Sequence, residues 1–262
     1  MCTAVIVRHA GSLVVAANRD ELYTRPALGP TLLMDEPRAF GGLDLEQRGS
    51  WLGVTDGGMI ALLTNQPEPA GPRADRRSRG AIVMEALRRA TPAAARQWLA
   101  GVDGRDYNSF NLLVGDAAGA EVFYGRADRA DLEVESVPDG ASVLPNGRLD
   151  QEGHVKVARA RQLIEGAVDA PWPELRVALA AALADHQRAP LESFPEPAPG
   201  ARFSREQLRE LSALCIHTPL YGTRSAAIAR LEPGRLAAFL WASGPPCRTP
   251  FIETAPSPTN RS

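Results

Sequence analysis

The stretch MCTAVIVRHAGSLVVAANRDE, residues 1–21, decides the reading of this chain. Residues 3–8 are rich in β-branched side chains and read as a strand. His9-Ala10-Gly11-Ser12 reads as a turn, and residues 13–17 as the hairpin partner. The polar run Asn18-Arg19-Asp20-Glu21 falls where that second strand ends. In an antiparallel pair the residues opposite Cys2 lie at or just beyond Asn18. Arg19 and Asp20 are therefore expected close to the Cys2 end of the first strand.

Cys2 gives this arrangement its chemical interest. Removal of the initiator Met, which is usual before a small residue, leaves Cys2 with a thiol and a free α-amine on one carbon. Their ordinary pKa values are about 8.5 and about 7.7–8.0, so the amine can take the thiol's proton near neutral pH. A nearby guanidinium favours the thiolate, and an aspartate can hold the α-ammonium. The result is a one-residue nucleophile and base able to attack an amide or ester carbonyl.

Outward from the hairpin, Pro26, Gly29 and Pro30 are read as loop. Residues 51–55 and 59–64 are apolar strands joined by an Asp56-Gly57-Gly58 turn. Residues 66–78 read as an exposed loop and 79–90 as a helix. Thr91-Pro92 reads as an N-cap opening a helix to Leu99. Strands are expected at 110–114, 121–124, 132–137 and 141–144, and helices at 155–164 and 173–184. Residues 190–200 read as a Pro-rich loop, and strands follow at 214–217, 225–231 and 235–241. Hairpin-connected strands with helices grouped in sequence predict an α+β layered sandwich rather than a doubly wound parallel fold. Residues 1–243 are expected to form the domain and 244–262, rich in Pro, Ser and Thr, a loosely ordered tail.

Composition excludes several classes. A formal net charge of -2 argues against a nucleic-acid partner. No run approaches the roughly 18 apolar residues of a membrane span. The opening residues lack a secretory pattern, so a cytoplasmic setting is expected. Three cysteines, Cys2, Cys215 and Cys247, without CxxC spacing predict neither a disulfide framework nor a zinc site. His9, His154, His186 and His217 show no metal spacing and are read as structural or exposed, so no metal and no cofactor is expected. Cys215 is expected buried and inert. The sole lysine, Lys156, is read as a coding bias toward arginine.

MCTAVIV at 1–7, NRDE at 18–21, SWLGVT at 50–55, LLTN at 62–65, RSRG at 77–80, YNSFNLL at 107–113 and YGTRS at 221–225 resemble the NRDE family, also called the transport and Golgi organisation protein 2 family. That family is distantly similar to the N-terminal-nucleophile hydrolases of the choloylglycine hydrolase and penicillin V acylase group. The resemblance implies a four-layer αββα sandwich, Cys2 as nucleophile, and Arg19 and Asp20 as its neighbours. It also implies Asn146, in VLPN at 143–146, as oxyanion donor and Arg224 as a late arginine near the nucleophile. Asn18, Asn65 and Tyr221 are further candidates for substrate contact; Asn65 either faces the pocket or caps local backbone. The sequence departs from the hydrolase pattern in having Arg19 and Asp20 adjacent, and in carrying Thr55-Asp56 where a second oxyanion asparagine is expected. The leading expectation is an N-terminal-cysteine amidohydrolase acting on the carbon–nitrogen bond of a small acylated or anionic substrate. The alternative implied by the family is a non-catalytic carrier of haem or of lipid and acyl groups.

Overall fold

Thr3–His9 forms β1 and Ser12–Leu22 forms β2, paired antiparallel with Thr3 opposite Asn18 and Ala4 opposite Ala17. The computed structural model describes residues 3–9, 11–68, 71–197 and 202–254; Cys2, the proposed nucleophile, lies outside the described residues. Side chains alternate across the pleat. Ala4, Ile6, Val15 and Ala17 enter a core between two sheets, while Val5, Val7, Val14 and Ala16 enter a second core under helices. This is why the hairpin reads as an unbroken apolar run.

The chain continues through β3 (Ala27–Met34), β4 (Ala39–Asp44), β5 (Ser50–Thr55), β6 (Ile60–Asn65), α1 (Arg79–Arg88) and α2 (Pro92–Leu99). Next come β7 (Phe110–Asp116), β8 (Gly119–Gly125), β9 (Glu133–Ser136), β10 (Gly140–Leu144), α3 (Val155–Ile164), α4 (Trp172–Leu183) and α5 (Arg205–Glu210). The last strands are β11 (Tyr221–Glu232), β12 (Arg235–Ala242) and β13 (Ile252–Glu253). One sheet has the order β10-β1-β2-β11-β12-β13, the other β3-β4-β5-β6-β7-β8-β9. α3 and α4 cover the outer face of the first through Val157, Ile164 and Leu179. α1 and α2 cover the second through Ile82, Leu87 and Leu99. Each fully buried Leu, Ile or Val side chain contributes roughly 1.5–3 kcal/mol, so all three interfaces hold the layers together. The architecture is the expected αββα sandwich of antiparallel sheets.

Local chemistry explains several details. Thr91 Oγ1 accepts the Ala94 N–H as the predicted N-cap of α2. Gly58 sits at φ +85° in the β5–β6 turn, a conformation that favours glycine. Gly42 lies under the Trp51 ring, where a Cβ would come within 1.9 Å of the indole.

Four expectations are corrected. The loop expected around Pro26, Gly29 and Pro30 is β3 from Ala27 onward; it is an edge strand, where a proline costs no interior ladder bond. β4 went unread because its two glycines, which make room for β5, disguise it. Residues 214–217 are not a strand; only an isolated bridge joins His217 to Gly222. The expected loose tail from 244 contributes β13, paired with Leu240 and Trp241 of β12; residues 255–262 lie outside the described residues. Among the described residues no helix is long and apolar enough to cross a membrane.

Candidate functional site

The candidate residues gather where β1, β2, β10 and β11 end together, but they do not all face the same way. Arg19 and Asp20 are consecutive on β2, so their side chains leave opposite faces of the sheet. Arg19 points between the sheets. It is only 5% exposed, its guanidinium carbon lies 4.2 Å from the Trp51 ring centroid, and Asp44 is 3.7 Å away. Trp51 is thus partly buried beneath an arginine rather than wholly in the core. Burial pushes the Asp44 carboxyl up, but N–H donors of Gln47 and Glu46 and the Arg25 guanidinium outweigh it and hold Asp44 below the usual carboxylate range.

Asp20 points to the helical side and is fully buried. Its Oδ1 accepts the Thr223 hydroxyl at 2.6 Å, and its Oδ2 lies 3.8 Å from the Lys156 ammonium. Tyr221 donates its hydroxyl to the Asp20 backbone carbonyl at 2.8 Å. Burial raises the Asp20 carboxyl further than Lys156 and the Thr223 bond lower it. Lys156 sits in the first turn of α3 with its side chain only 4% exposed. The helix dipole disfavours a cation there, so the Asp20 charge stabilises it. The sequence reading passed over Lys156. Its signal was that one lysine stands alone in a chain that otherwise uses arginine.

Asn18 ties the sheet to the helical layer. Its Nδ2 donates to Leu183 O, the last residue of α4, and to Leu214 O, at 2.9 and 2.8 Å. It satisfies a helix-end carbonyl that would otherwise be buried without a donor. Arg224 Nη1 donates to Leu22 O, Tyr23 O and Arg25 O, clamping the segment after β2. The β11 register shifts between Thr223 and Ser225, which set themselves opposite Asp20 and Arg19; Arg224 is the extra residue.

Asn146 follows β10 and reaches across to the other sheet, its Nδ2 donating to Asn65 O at 2.6 Å. Asn65 thus contributes its backbone carbonyl. The turn carrying Asn146 is fixed by a buried network that sequence reasoning missed. Asn111 Nδ2 donates to Gly147 O at 2.8 Å and to Thr64 Oγ1 at 2.9 Å. The Thr64 hydroxyl donates to Pro145 O at 3.0 Å. Gln66 Nε2 donates to Gly147 O at 3.1 Å and to Asn111 Oδ1. The available signal was Asn111 itself, an amide set between Phe110 and the apolar run Leu112–Val114 of β7.

A pocket of about 380 Å³ opens beside these groups, lined among others by Asn146, Lys156, His154, Gln66, Phe194 and Leu211. Its size suits a small molecule, and its lining mixes apolar side chains with a few convergent polar ones. Burial first, and the Lys156 charge second, lower the His154 imidazole to about 4, so it is neutral at neutral pH. Among the histidines read as structural or exposed, two stand beside the later cysteines. His186, Cys215, His217 and Cys247 come together in space from three separated segments, which no local spacing rule detects.

Comparisons with known proteins agree with this architecture. The sequence profile described as transport and Golgi organisation 2 matches residues 1–235. The chain is 30% identical over 237 residues to the transport and Golgi organization protein 2 homolog of Bos taurus, covering 87% of this chain and 84% of that protein. The Homo sapiens homolog is 29% identical over 239 residues, with the same coverage. Among solved structures, the Caenorhabditis elegans ortholog of N-acylethanolamine-hydrolyzing acid amidase superposes with a TM-score of 0.52 at 11% identity, covering 87% of this chain and 92% of that one. A mutant conjugated bile acid hydrolase from Clostridium perfringens gives 0.53 at 9% identity, covering 97% and 92%. At such identities these two show the fold.

Proposed function

The chain belongs to the transport and Golgi organisation 2 family, and on that footing we propose that it is an N-terminal-cysteine hydrolase of carbon–nitrogen amide bonds. One observation carries the reading. Ala4 stands opposite Ala17 on β2 and opposite Leu144 on β10. Extending both registers by the same count toward the start of the chain would set Cys2 across from Arg19 on one side and Asn146 on the other. Residues two apart share a face, so Cys2 would join Ala4, and with it Arg19, on the side between the sheets.

In the proposed reaction the Cys2 thiol gives its proton to its own α-amine, and the thiolate attacks the amide carbonyl. The Arg19 guanidinium favours the thiolate. Asn146, whose position is fixed by Asn111 and Asn65, supplies a hydrogen-bond donor to the oxyanion. The carbon–nitrogen bond then breaks, and the leaving amine takes the proton held by the α-ammonium. Water hydrolyses the thioester, passing one proton back through the amine and releasing a carboxylic acid. Asp20, supported by Thr223, Tyr221 and Lys156, holds the α-ammonium. Arg224 and Asn18 serve as scaffold for that end of the sheet. The named activities of the two similar folds, an amidase and a conjugated bile acid hydrolase, fit an acylated small-molecule substrate.

The test combines intact mass, thiol labelling and turnover. Loss of Met1, selective alkylation of Cys2 by iodoacetamide, and hydrolysis of an N-acyl amide panel that falls at least about 10³-fold in Cys2→Ala are expected. Retained Met1 with an unreactive Cys2 would overturn the reading. So would haem or fatty-acyl binding unchanged in Cys2→Ala with no hydrolysis, which is the result a carrier would give.

A further inference from the structure

We propose that His186, Cys215, His217 and Cys247 form a structural zinc site. One ligand atom from each side chain lies within 4.8 Å of the other three. The closer distances discriminate more sharply. Cys215 Sγ is 3.7 Å from Cys247 Sγ and 3.5 Å from His217 Nε2, and His217 Nε2 is 3.3 Å from Cys247 Sγ. Tetrahedral zinc with Zn–S near 2.3 Å and Zn–N near 2.05 Å requires ligand separations of about 3.8 Å for S···S and about 3.6 Å for S···N. The three observed distances fall within about 0.3 Å of those values. The fourth ligand, His186, faces His217 with ring centroids 5.0 Å apart.

The donor set narrows the metal. Two thiolates and two imidazoles are borderline-soft ligands in the proportion of a closed Cys₂His₂ zinc site, whereas calcium and magnesium take oxygen. Two thiolates also neutralise a divalent ion, and binding releases their two protons to solvent. Four protein ligands leave no open position, which assigns the ion a structural role.

The backbone brings the ligands together before any ion arrives. The Asp185 carbonyl accepts the Cys215 N–H at 2.8 Å, holding the His186 segment against Cys215. The Asp185 carboxylate is itself gripped by Arg159 at 2.7 and 3.0 Å. Cys247 rides a turn closed by Thr249 N–H donating to Pro245 O at 3.0 Å. The ion would thus tie the segment after α4 to the segments before β11 and after β12. Ile216, between two ligands, donates its N–H to Thr223 Oγ1 at 2.9 Å, the same hydroxyl that binds Asp20.

The experiment uses the full chain, purified without a metal-binding tag, stripped with chelator under reducing conditions and re-equilibrated with zinc or cobalt(II). About one zinc per chain by elemental analysis is expected, together with thiolate-to-cobalt charge transfer and the visible bands of a tetrahedral ion. His186→Ala alters an exposed position and should fold normally. It is expected to lower zinc affinity in chelator competition by more than the ~10–100-fold that disturbing a ligand's supporting contacts costs. Cys247→Ser should remove part of the charge-transfer intensity, and Cys2→Ala should change neither stoichiometry nor spectrum. Substoichiometric zinc at saturation, a cobalt spectrum without thiolate bands, or His186→Ala binding zinc like the parent would each overturn the site. So would a Cys215–Cys247 disulfide mapped in protein that takes up no zinc after reduction.

Discussion

Replacing Thr223 with valine tests the hydrogen-bonded support of Asp20 with almost no change in shape. Thr223 is buried, and its hydroxyl works in two directions. It donates to Asp20 Oδ1 at 2.6 Å and accepts the Ile216 N–H at 2.9 Å. Valine deletes both bonds at once. The charge-assisted bond to a carboxylate contributes about 1.5–3 kcal/mol, and an orphaned buried N–H costs about 1–3 kcal/mol. Because the two share one atom they do not simply add, and a loss of about 3–5 kcal/mol is expected. Thr223→Ser keeps both bonds and deletes one methyl, for about 0.8 kcal/mol. With an m-value of about 3 kcal/mol/M in urea, the valine variant should unfold about 1–1.7 M earlier than the parent and the serine variant less than about 0.4 M earlier. The valine penalty should shrink in acid, because the donor to Asp20 favours the charged carboxylate. Equal midpoints for valine and serine would refute the hydrogen-bond account and leave only packing.

Two further outcomes follow from the site. Asn111→Ala should destabilise the chain by about 2–4 kcal/mol, because it deletes the buried hydrogen bonds to Thr64 Oγ1, Pro145 O and Gly147 O at once and leaves those carbonyls only their Thr64 and Gln66 donors. Chemical denaturation reads that loss, and a turnover drop larger than that of the Asn65→Ala variant would show that the Asn146 turn has loosened. His154 has a folded pKa near 4, below its ordinary value of 6.5. The unfolded chain therefore binds more protons between those values, and stability falls as pH drops through that window. After allowance for solvent screening at this partly exposed side chain, the loss from pH 7 to 4.5 should be about 1–2 kcal/mol. His154→Asn, which retains a capping side chain for α3, should flatten that dependence; parallel stability curves would contradict it.

The layered fold was legible because burial imposes a period. The runs in β1, β2, β5 and β6 are apolar on both faces, and Thr91-Pro92 announces α2 by a cap that the structure reproduces. β3 and β4 were illegible for the opposite reason. Their Pro30, Gly41 and Gly42 answer to an edge position and to contacts with β5, Trp51 among them, which sequence order does not reveal. At the candidate site the adjacency of Arg19 and Asp20 placed both near the Cys2 end without showing which face each takes. The pleat sends them to opposite faces, and Asp20 also meets Lys156 and Thr223, which no sequence neighbour reveals. The His186–Cys247 cluster was hidden because only Cys215 and His217 are close in sequence.

The extra residue in β11 has a consequence for how this strand tolerates change in length. Losing one residue from a regular strand turns every later side chain to the wrong side. At Arg224 the opposite holds, because Thr223 and Ser225 already take consecutive partners on β2. Excising Arg224 would leave a regular ladder with the same residues inside and out. A chain one residue shorter here would therefore keep its register, and a gap at this point would mark a lost clamp rather than a lost strand.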